Sequence, residues 1–289
     1  MRRSVDTTSW LVILFLIFFN IFVWHQIFTG NNPGGEVYYL DVGQGDSELA
    51  VLSGGAKVLI DAGPISGGAA YVLSGAMPQF DRYIDLAVIT HPQVDHFGGF
   101  LDLLDRYEFG AFVFNGRGND PESGSEWRAL MSKIQRLGIP LITLTAGDAI
   151  IAGKDRIDIF SPNAEFLQSA ELNDTGLVLM LKTLALKYLF TADIGAGVEK
   201  HLAKNFNLSA DVLKVPHHGS RFSTSADFLK KVNPKISVAE VGEGNGYGHP
   251  AKEVLSRLDE LGSKIFRTDK NGTIKISVAD DMLRVFTAK

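Results

Sequence analysis

The chain has 289 residues, 45% hydrophobic and 21% charged, with a formal net charge of −5 and no cysteine. That balance argues against a protein built mainly to coat nucleic acid, which carries a basic face. Without cysteine there are no disulfides, no thiolate metal sites and no lipoprotein route to a membrane. Any transition-metal site must use His, Asp, Glu or neutral oxygen ligands.

The N-terminus opens with Arg2 and Arg3, followed by the uncharged run "WLVILFLIFFNIFVWHQIF", Trp10 to Phe28. About nineteen apolar residues suffice to cross a bilayer as a helix. Trp10 and Trp24 sit near its ends, where interfacial aromatics belong. The expected organisation is a cytoplasmic tip (1–9), a single-pass anchor (10–28), a flexible linker (29–35) and one domain (36–289). The positive-inside rule keeps Arg2 and Arg3 in the cytoplasm and sends that domain outside it. A cleaved signal peptide and a buried soluble helix are the competing readings. A signal's apolar core is normally shorter and ends in small residues, and "WHQIFTGNNPGG" offers no good cleavage site.

From residue 36 the chain alternates short strand patterns with helices. "EVYYLDV", "SELAVLS" and "KVLIDAG" read as strands between glycine-rich turns, followed by a helix at "AAYVLSGAM". "IDLAVIT" is a buried strand and "FLDLLDRY" a short amphipathic helix. The strands "AFVF" and "LITL" flank a helix near "SEWRALMSKIQRLG", and then come "DRIDIFSP", "GLVLMLKT" and "LKYLFTADI". Helices at "GVEKHLAKNF", "SADFLKKV" and "AKEVLSRLDELG" then alternate with strands at "DVLKVP", "KISVAEV" and "KIFRT". The pair "GTIKISV" and "MLRVF" closes the chain. There is no short-period repeat and no low-complexity segment. Two mixed sheets packed together, with helices on the outer faces, fit this order.

Chemistry gathers at strand ends. "THPQVDHFGG", residues 90 to 99, places His91, Asp95 and His96 within six positions just past a strand. Imidazole and carboxylate together suit zinc, manganese or iron. "KVPHHGS" feeds a strand directly into His217 and His218. Asp193 ends the strand of "LFTADIG", where it could bridge metals or serve the dipole of the helix that follows. His249 in "YGHP" precedes another helix, where a histidine is usually structural.

These residues, with "LDVGQGDS", "LIDAG", "NDTGLVLMLK", "LFTADI", "LKVPHHGS" and "YGHPAKEVLSRL" in that order, resemble the metallo-β-lactamase superfamily. The resemblance is closest to the metallo-β-lactamase-like domain of ComEC, the bacterial DNA-uptake channel, and spans nearly all of residues 36 to 289. ComEC's multi-span channel region has no counterpart here, and one anchor helix cannot make a channel. The likeness is to stand-alone, membrane-tethered relatives of that domain.

The resemblance implies an α+β fold, the αβ/βα four-layer sandwich, with a metal site where the two sheets meet. It implies one or two divalent ions, Zn or Mn. His91 and the Gln93 position belong to a first site, Asp95 and His96 to a second, and Asp193 bridges. His218, with His217 beside it, closes the second site or contacts phosphate. Asp61 orients ligands and Asp46 sits on a loop bordering the site. Asn173, Lys214 and Ser220 are placed around it, and His249 near the substrate. Gln93 stands where the family has His or Asp, and its amide oxygen is the weaker ligand, so one tight and one weak or absent metal is expected.

The activity implied is that of a metal-dependent phosphodiesterase, in particular a nuclease, in which a water on the metal loses its proton near neutral pH and attacks phosphorus. Asp95, His217 and His249 are the catalytic candidates. Charge on the phosphoryl oxygens would be offset by the metal and by His217, Lys214 or Arg221. DNA or another phosphodiester is the expected substrate, with DNA-uptake or envelope components as partners. The alternatives are a phosphorylcholine-type esterase of the cell surface and a degenerate envelope binding protein linked to DNA uptake. The motifs around "HHGS" and "GQGDS" are not those of true lactamases.

Overall fold

The computed structural model of the protein describes residues 6–29, 35–118, 124–279 and 282–289. The first five residues, most of the expected linker and the middle of the loop from Asn115 to Trp127 lie outside that range. Helix α1 (Thr7–Thr29) is slightly longer than the expected span. Its window Thr7–Trp24 has mean hydropathy 2.1 and buries none of its surface. By length and composition it could cross a membrane.

The rest is built on two sheets. The first joins β1 (Glu36–Tyr39), β2 (Glu48–Val51), β3 (Lys57–Ile60), β4 (Tyr83–Ile89), β5 (Glu108–Phe114) and β6 (Leu141–Thr143) to β14 (Ile274–Ala279) and β15 (Met282–Thr287). Its order is β15-β14-β1-β2-β3-β4-β5-β6. The second comprises β7 (Ala149–Ala152), β8 (Asp155–Ser161), β9 (Val178–Lys182), β10 (Lys187–Phe190), β11 (Val212–Lys214), β12 (Ile236–Ala239) and β13 (Lys264–Arg267). Its order is β13-β12-β11-β10-β9-β8-β7. The two-residue period of a strand explains how these sheets stack. Val58 and Ile60 of β3 face the second sheet, while Leu59 between them faces outward. In β9, Leu179 and Leu181 face the first sheet while Val178 and Met180 face outward.

Each outward face is covered by helices. Those on the first sheet are α2 (Ala69–Ala76), α3 (Val94–Phe97), α4 (Phe100–Leu103) and α5 (Gly124–Arg136). Helix α5 buries Trp127, Leu130 and Ile134, spaced to share one helix face. The second sheet is covered by α6 (Ala196–Asn205), α7 (Ala226–Val232) and α8 (Lys252–Glu260). Three apolar layers therefore separate four layers of structure, and the αβ/βα sandwich is the observed fold.

Two expectations shift locally. The segment "FLDLLDRY" is helical only from Phe100 to Leu103 and then turns. Strand β7, unmarked in the sequence because four residues show too little alternation, pairs antiparallel with β8. The connectivity places the chemistry. Strands β3, β4 and β5 run parallel, as do β10 to β13. Asp61, Thr90 and His91 follow β3 and β4; Asp193, the histidine turn and Glu240 follow β10, β11 and β12. In α/β sheets the carboxyl ends of parallel strands are where backbone leaves the sheet and ligands bind.

Close backbone approach holds this end together. A Cβ at Gly99 would lie 2.1 Å from the Ala62 carbonyl oxygen and 2.9 Å from Ala69 Cβ. Gly54 faces open space. Gly99→Ala is therefore expected to lower the melting temperature by roughly 3–10 °C, as overpacking of a fixed backbone does, while Gly54→Ala changes it little. Equal melting temperatures for the two variants in calorimetry would contradict this packing.

Candidate metal centre

Asp61 organises the first half of the centre. It is fully buried, with φ 53°, and its carboxylate accepts from the Thr90 amide at 2.8 Å and the Thr90 hydroxyl at 2.6 Å. The same oxygen lies 2.7 Å from His96 Nδ1. His96 thus donates through Nδ1 and turns Nε2 into the cleft. The Thr90 hydroxyl also sits 3.0 Å from His91 Nδ1. Its single proton goes to the carboxylate, the shorter and charge-assisted contact, so it accepts from His91. His91 Nε2 then faces Gln93 Oε1 at 3.1 Å.

The second half mirrors this. His218 donates from Nδ1 to the Glu240 carbonyl oxygen at 2.9 Å. Its Nε2 lies 3.2 Å from Asp193 Oδ2 and 3.6 Å from Asp95 Oδ2. His96 Nε2 lies 3.5 Å from the same Asp193 oxygen. Ligand atoms of Asp95, His96, Asp193 and His218 all fall within 4.8 Å of one another. His96 Nε2 and His218 Nε2 are buried and have no hydrogen-bond partner. Two orphaned imidazole nitrogens, oriented by hydrogen bonds on their far sides and facing two carboxylates, fit a divalent cation. Without one, burial opposes charge on His96 and His218, but Asp193 and its neighbours outweigh it and hold both well above the ordinary histidine value. Burial would raise Asp193, yet His218, His96 and Lys214 hold it well below the usual carboxylate range. Burial would raise Asp95, yet the imidazoles of His218 and His96 beside it lower it to about 2.

Of the sequence-predicted residues, Asp95, His96, Asp193 and His218 meet at this point, with Asp61 and Asp46 directly behind them. Asp46 reaches His218 Nδ1 at 3.2 Å and pairs with Lys214. His91 and Gln93 stand beside the cluster, with the His91 and His96 ring centres 4.1 Å apart. Burial and the charge on His96 lower His91 to about 4, so it is neutral at pH 7. The helix-dipole alternative for Asp193 does not describe its surroundings: α6 begins at Ala196, while the carboxylate points at imidazoles and lysine.

Lys214 and His217 depart from the expectation that both offset phosphoryl charge. Lys214 is completely buried, ion-paired with Asp46 and 3.4 Å from Asp193 Oδ1, and donates to the Ala192 carbonyl at 2.9 Å. Its charge is engaged by the protein's own carboxylates, and it is not solvated surface. His217 lies on the rim, 3.8 Å from Asp193 Oδ2 and 3.4 Å from Asn173 Nδ2. Burial, His218 and Lys214 lower it, so it is neutral rather than cationic at pH 7. Ser220 shapes the turn: its amide donates to the His217 carbonyl at 2.8 Å. Arg221 is exposed beyond that turn. His249 stands next to His217, ring centres 5.9 Å apart.

Three residues of the centre escaped the sequence reading. Gln44 accepts from the Gly242 amide at 3.1 Å and ties the "GQGDS" loop to the segment after β12. That loop also presses on the metal motif: a Cβ at Gly45 would lie 2.2 Å from the Asp95 carbonyl oxygen, and φ there is +151°. Glu48 and Glu240 form a buried acidic pair behind Asp46, and Glu240 accepts from the Ser47 amide at 3.0 Å. A glutamate opening strand β2 and another directly after strand β12, each against an apolar run, were the available signal. The backbone of Asp61, Ala192, His217 and His218 is left-handed, φ 47–53°. That conformation costs a residue with a Cβ roughly 1–2 kcal/mol. Strain gathered at one site marks a functional constraint on it.

A profile of the metallo-beta-lactamase superfamily matches residues 40–239. The chain belongs to that superfamily. Its curated relatives include competence proteins of the ComEC type. ComE operon protein 3 of Bacillus subtilis is 29% identical over 259 residues, covering 83% of this chain and 33% of that protein. Competence protein ComA of Neisseria gonorrhoeae is 27% identical, covering 82% and 31%. The chain therefore spans about a third of the length of these relatives. Among solved structures, Igni18, a metallo hydrolase from Ignicoccus hospitalis, superposes with TM-score 0.56 at 15% identity, over 84% of this chain and all of that one. That likeness is one of fold. The superfamily is one of metal-dependent hydrolases, and the His/Asp cluster gives this member the ligand set for a divalent ion.

The acidic pair generates a pH test. Burial, with Glu240 and Asp46 nearby, raises Glu48 well above the ordinary glutamate range, and burial with Asp46 raises Glu240. A raised acid binds its proton more tightly folded than unfolded. Its contribution is fully present below the unfolded value of about 4.3 and is lost as pH rises toward the folded value. Glu48→Gln, which mimics the protonated acid, is expected to raise the melting temperature by about 3 °C at pH 8, with the gain vanishing near pH 4. A gain that is independent of pH, or largest in acid, would contradict this protonation.

Proposed function

We propose that this protein is a membrane-anchored, extracytoplasmic metal-dependent phosphodiesterase, acting as a nuclease on DNA. The observation that carries the reading is the convergence of His96 Nε2, His218 Nε2, Asp193 and Asp95 with both imidazole nitrogens unpartnered. The relatedness to competence proteins supports DNA as the substrate and DNA-uptake components of the envelope as partners. Helix α1, with Arg2 and Arg3 before it, supports a single-pass anchor with the hydrolase domain outside the cytoplasm.

Asp95, His96, Asp193 and His218 would hold the cation, Zn or Mn, with His91 and Gln93 beside them as a weaker second site. A divalent ion there supplies Lewis acidity, which polarises a phosphoryl oxygen and makes the attacking water more acidic. The chain supplies the rest. Asp61 and the Glu240 carbonyl hold His96 and His218 in the tautomers that direct lone pairs inward. Lys214 holds one oxygen of Asp193 at 3.4 Å, leaving the other toward the imidazoles. His217, neutral at pH 7 and on the rim, is placed to move a proton at a ring nitrogen as the phosphodiester is cleaved. Asn173 Nδ2 lies 3.4 Å from Nε2 and 3.5 Å from Nδ1 of that ring.

The asymmetry between the two sites predicts stoichiometry. The full chain, purified in detergent and analysed by elemental mass spectrometry, is expected to retain about one divalent ion per chain, the usual content of a site with two imidazoles and two carboxylates. Gln93→Asp, which adds a carboxylate beside His91, is expected to raise that content toward two. The metal-loaded chain is expected to hydrolyse single-stranded DNA and bis-p-nitrophenyl phosphate. Asp95→Ala should lower both rates by at least about 100-fold, the scale of losing a metal-centred contribution. Hydrolysis of neither substrate, or rates indifferent to Asp95→Ala, would sink the phosphodiesterase reading. Metal content near zero would favour a binding protein instead.

A further inference from the structure

A row of rings leads out of the metal centre. His217 Nε2 is 3.8 Å from Asp193 Oδ2. The His249 ring lies 5.9 Å from the His217 ring at 68°, and Tyr247 stacks on His249 at 5.9 Å and 17°. Tyr247 ends the row and is 73% exposed. Single exposed aromatics are ordinary on protein surfaces. This one is two ring contacts from the catalytic cluster, and its loop is held in place.

Asn245 closes that loop, donating to the Gly242 and His249 carbonyls at 3.1 and 2.8 Å and accepting from the His249 amide at 3.0 Å. The Ala251 amide donates to the Gly219 carbonyl at 2.8 Å and ties the loop to the histidine turn. Gln44 binds the Gly242 amide from the other side. Burial, His218 and His217 lower His249, so the ring under Tyr247 is neutral at pH 7. A neutral imidazole capped by a phenol gives a flat, uncharged π surface. None of this is needed to bind a cation.

We propose that Tyr247, seated on His249, is a stacking platform for the base of a nucleotide whose phosphate lies at the metal centre, so that the site selects single-stranded nucleic acid over phosphodiesters without a base. The proposal rests on the phosphodiesterase reading and names its substrate class. Every base has a π face, so the platform tolerates any sequence, and an unpaired base reaches it without the unstacking that a base inside a duplex requires. The chain carries a formal net charge of −5, so backbone electrostatics contribute less and the base contact a larger share of recognition.

Fluorescence anisotropy on the full metal-loaded chain in detergent, with probes made hydrolysis-resistant by phosphorothioate linkages, tests this directly. The probes are a short oligothymidylate and an abasic tetrahydrofuran oligomer of equal length. The expected result is about tenfold tighter binding of the base-bearing strand, the scale of one stacked base. Tyr247→Ala removes the difference and Tyr247→Phe keeps it. Equal binding of the two oligomers, or Tyr247→Ala weakening both alike, overturns the platform. So does a Tyr247→Ala effect confined to the KM for p-nitrophenylphosphorylcholine, which would assign the rings to a cationic headgroup. Hydrolysis of bis-p-nitrophenyl phosphate by the metal-loaded wild type and Tyr247→Ala reports separately on the phosphodiesterase reading. Equal binding of the two oligomers by the wild type, with that hydrolysis intact, sinks the platform alone. Base discrimination without hydrolysis sinks only the phosphodiesterase reading.

Discussion

The centre depends on one buried carboxylate. Asp193 is almost inaccessible to solvent, yet His96, His218 and Lys214 all face it. An isolated carboxylate in that position would be strongly disfavoured. Here cations from two sheets converge on it, so the charge is a constraint joining them. His96 comes from α3, which follows β4 of the first sheet; Lys214 and His218 come from β11 and the turn that follows in the second. The four-layer sandwich brings these strand ends to one place, and Asp193 makes the alignment chemically consequential.

Around that carboxylate the protein has arranged proton positions as well as atoms. Asp61 and the Glu240 carbonyl each take an Nδ1 proton, so two imidazoles present Nε2 to the same point. Lys214 compensates Asp46 and Asp193 from within, and the Glu48–Glu240 pair lies beyond it. A cation entering such a cleft meets donors already oriented, which lowers the ordering cost of binding. Burial first, and neighbouring positive charge second, keep His91, His217 and His249 neutral.

Much of this was legible in the sequence. The strand-end position of "THPQVDHFGG", the paired histidines of "KVPHHGS" and the acid of "LFTADI" pointed to one metal site. Short apolar runs between glycine-rich turns pointed to two sheets. The reading lost accuracy where a side chain's role depends on what lies across the cleft. Lys214 reads as a substrate-facing cation only until Asp46 and Asp193 are placed against it. His217 reads as cationic only until its burial, with His218 and Lys214 nearby, is known. Glu48 and Glu240 lie 192 positions apart in the chain numbering, and no local pattern links them.

By itself the sequence determined the apolar N-terminal helix, the alternation of strands and helices, the absence of thiolate chemistry and the residue types of the ligand set. Each is a property of composition or of period, which local stretches contain in full. Tertiary structure decided which strand ends meet and which nitrogen of each histidine faces inward. It also decided which charges are consumed inside the protein and which rings continue outward to Tyr247. Those are matters of distance between residues far apart in the chain, and Coulomb and hydrogen-bond energies depend on that distance.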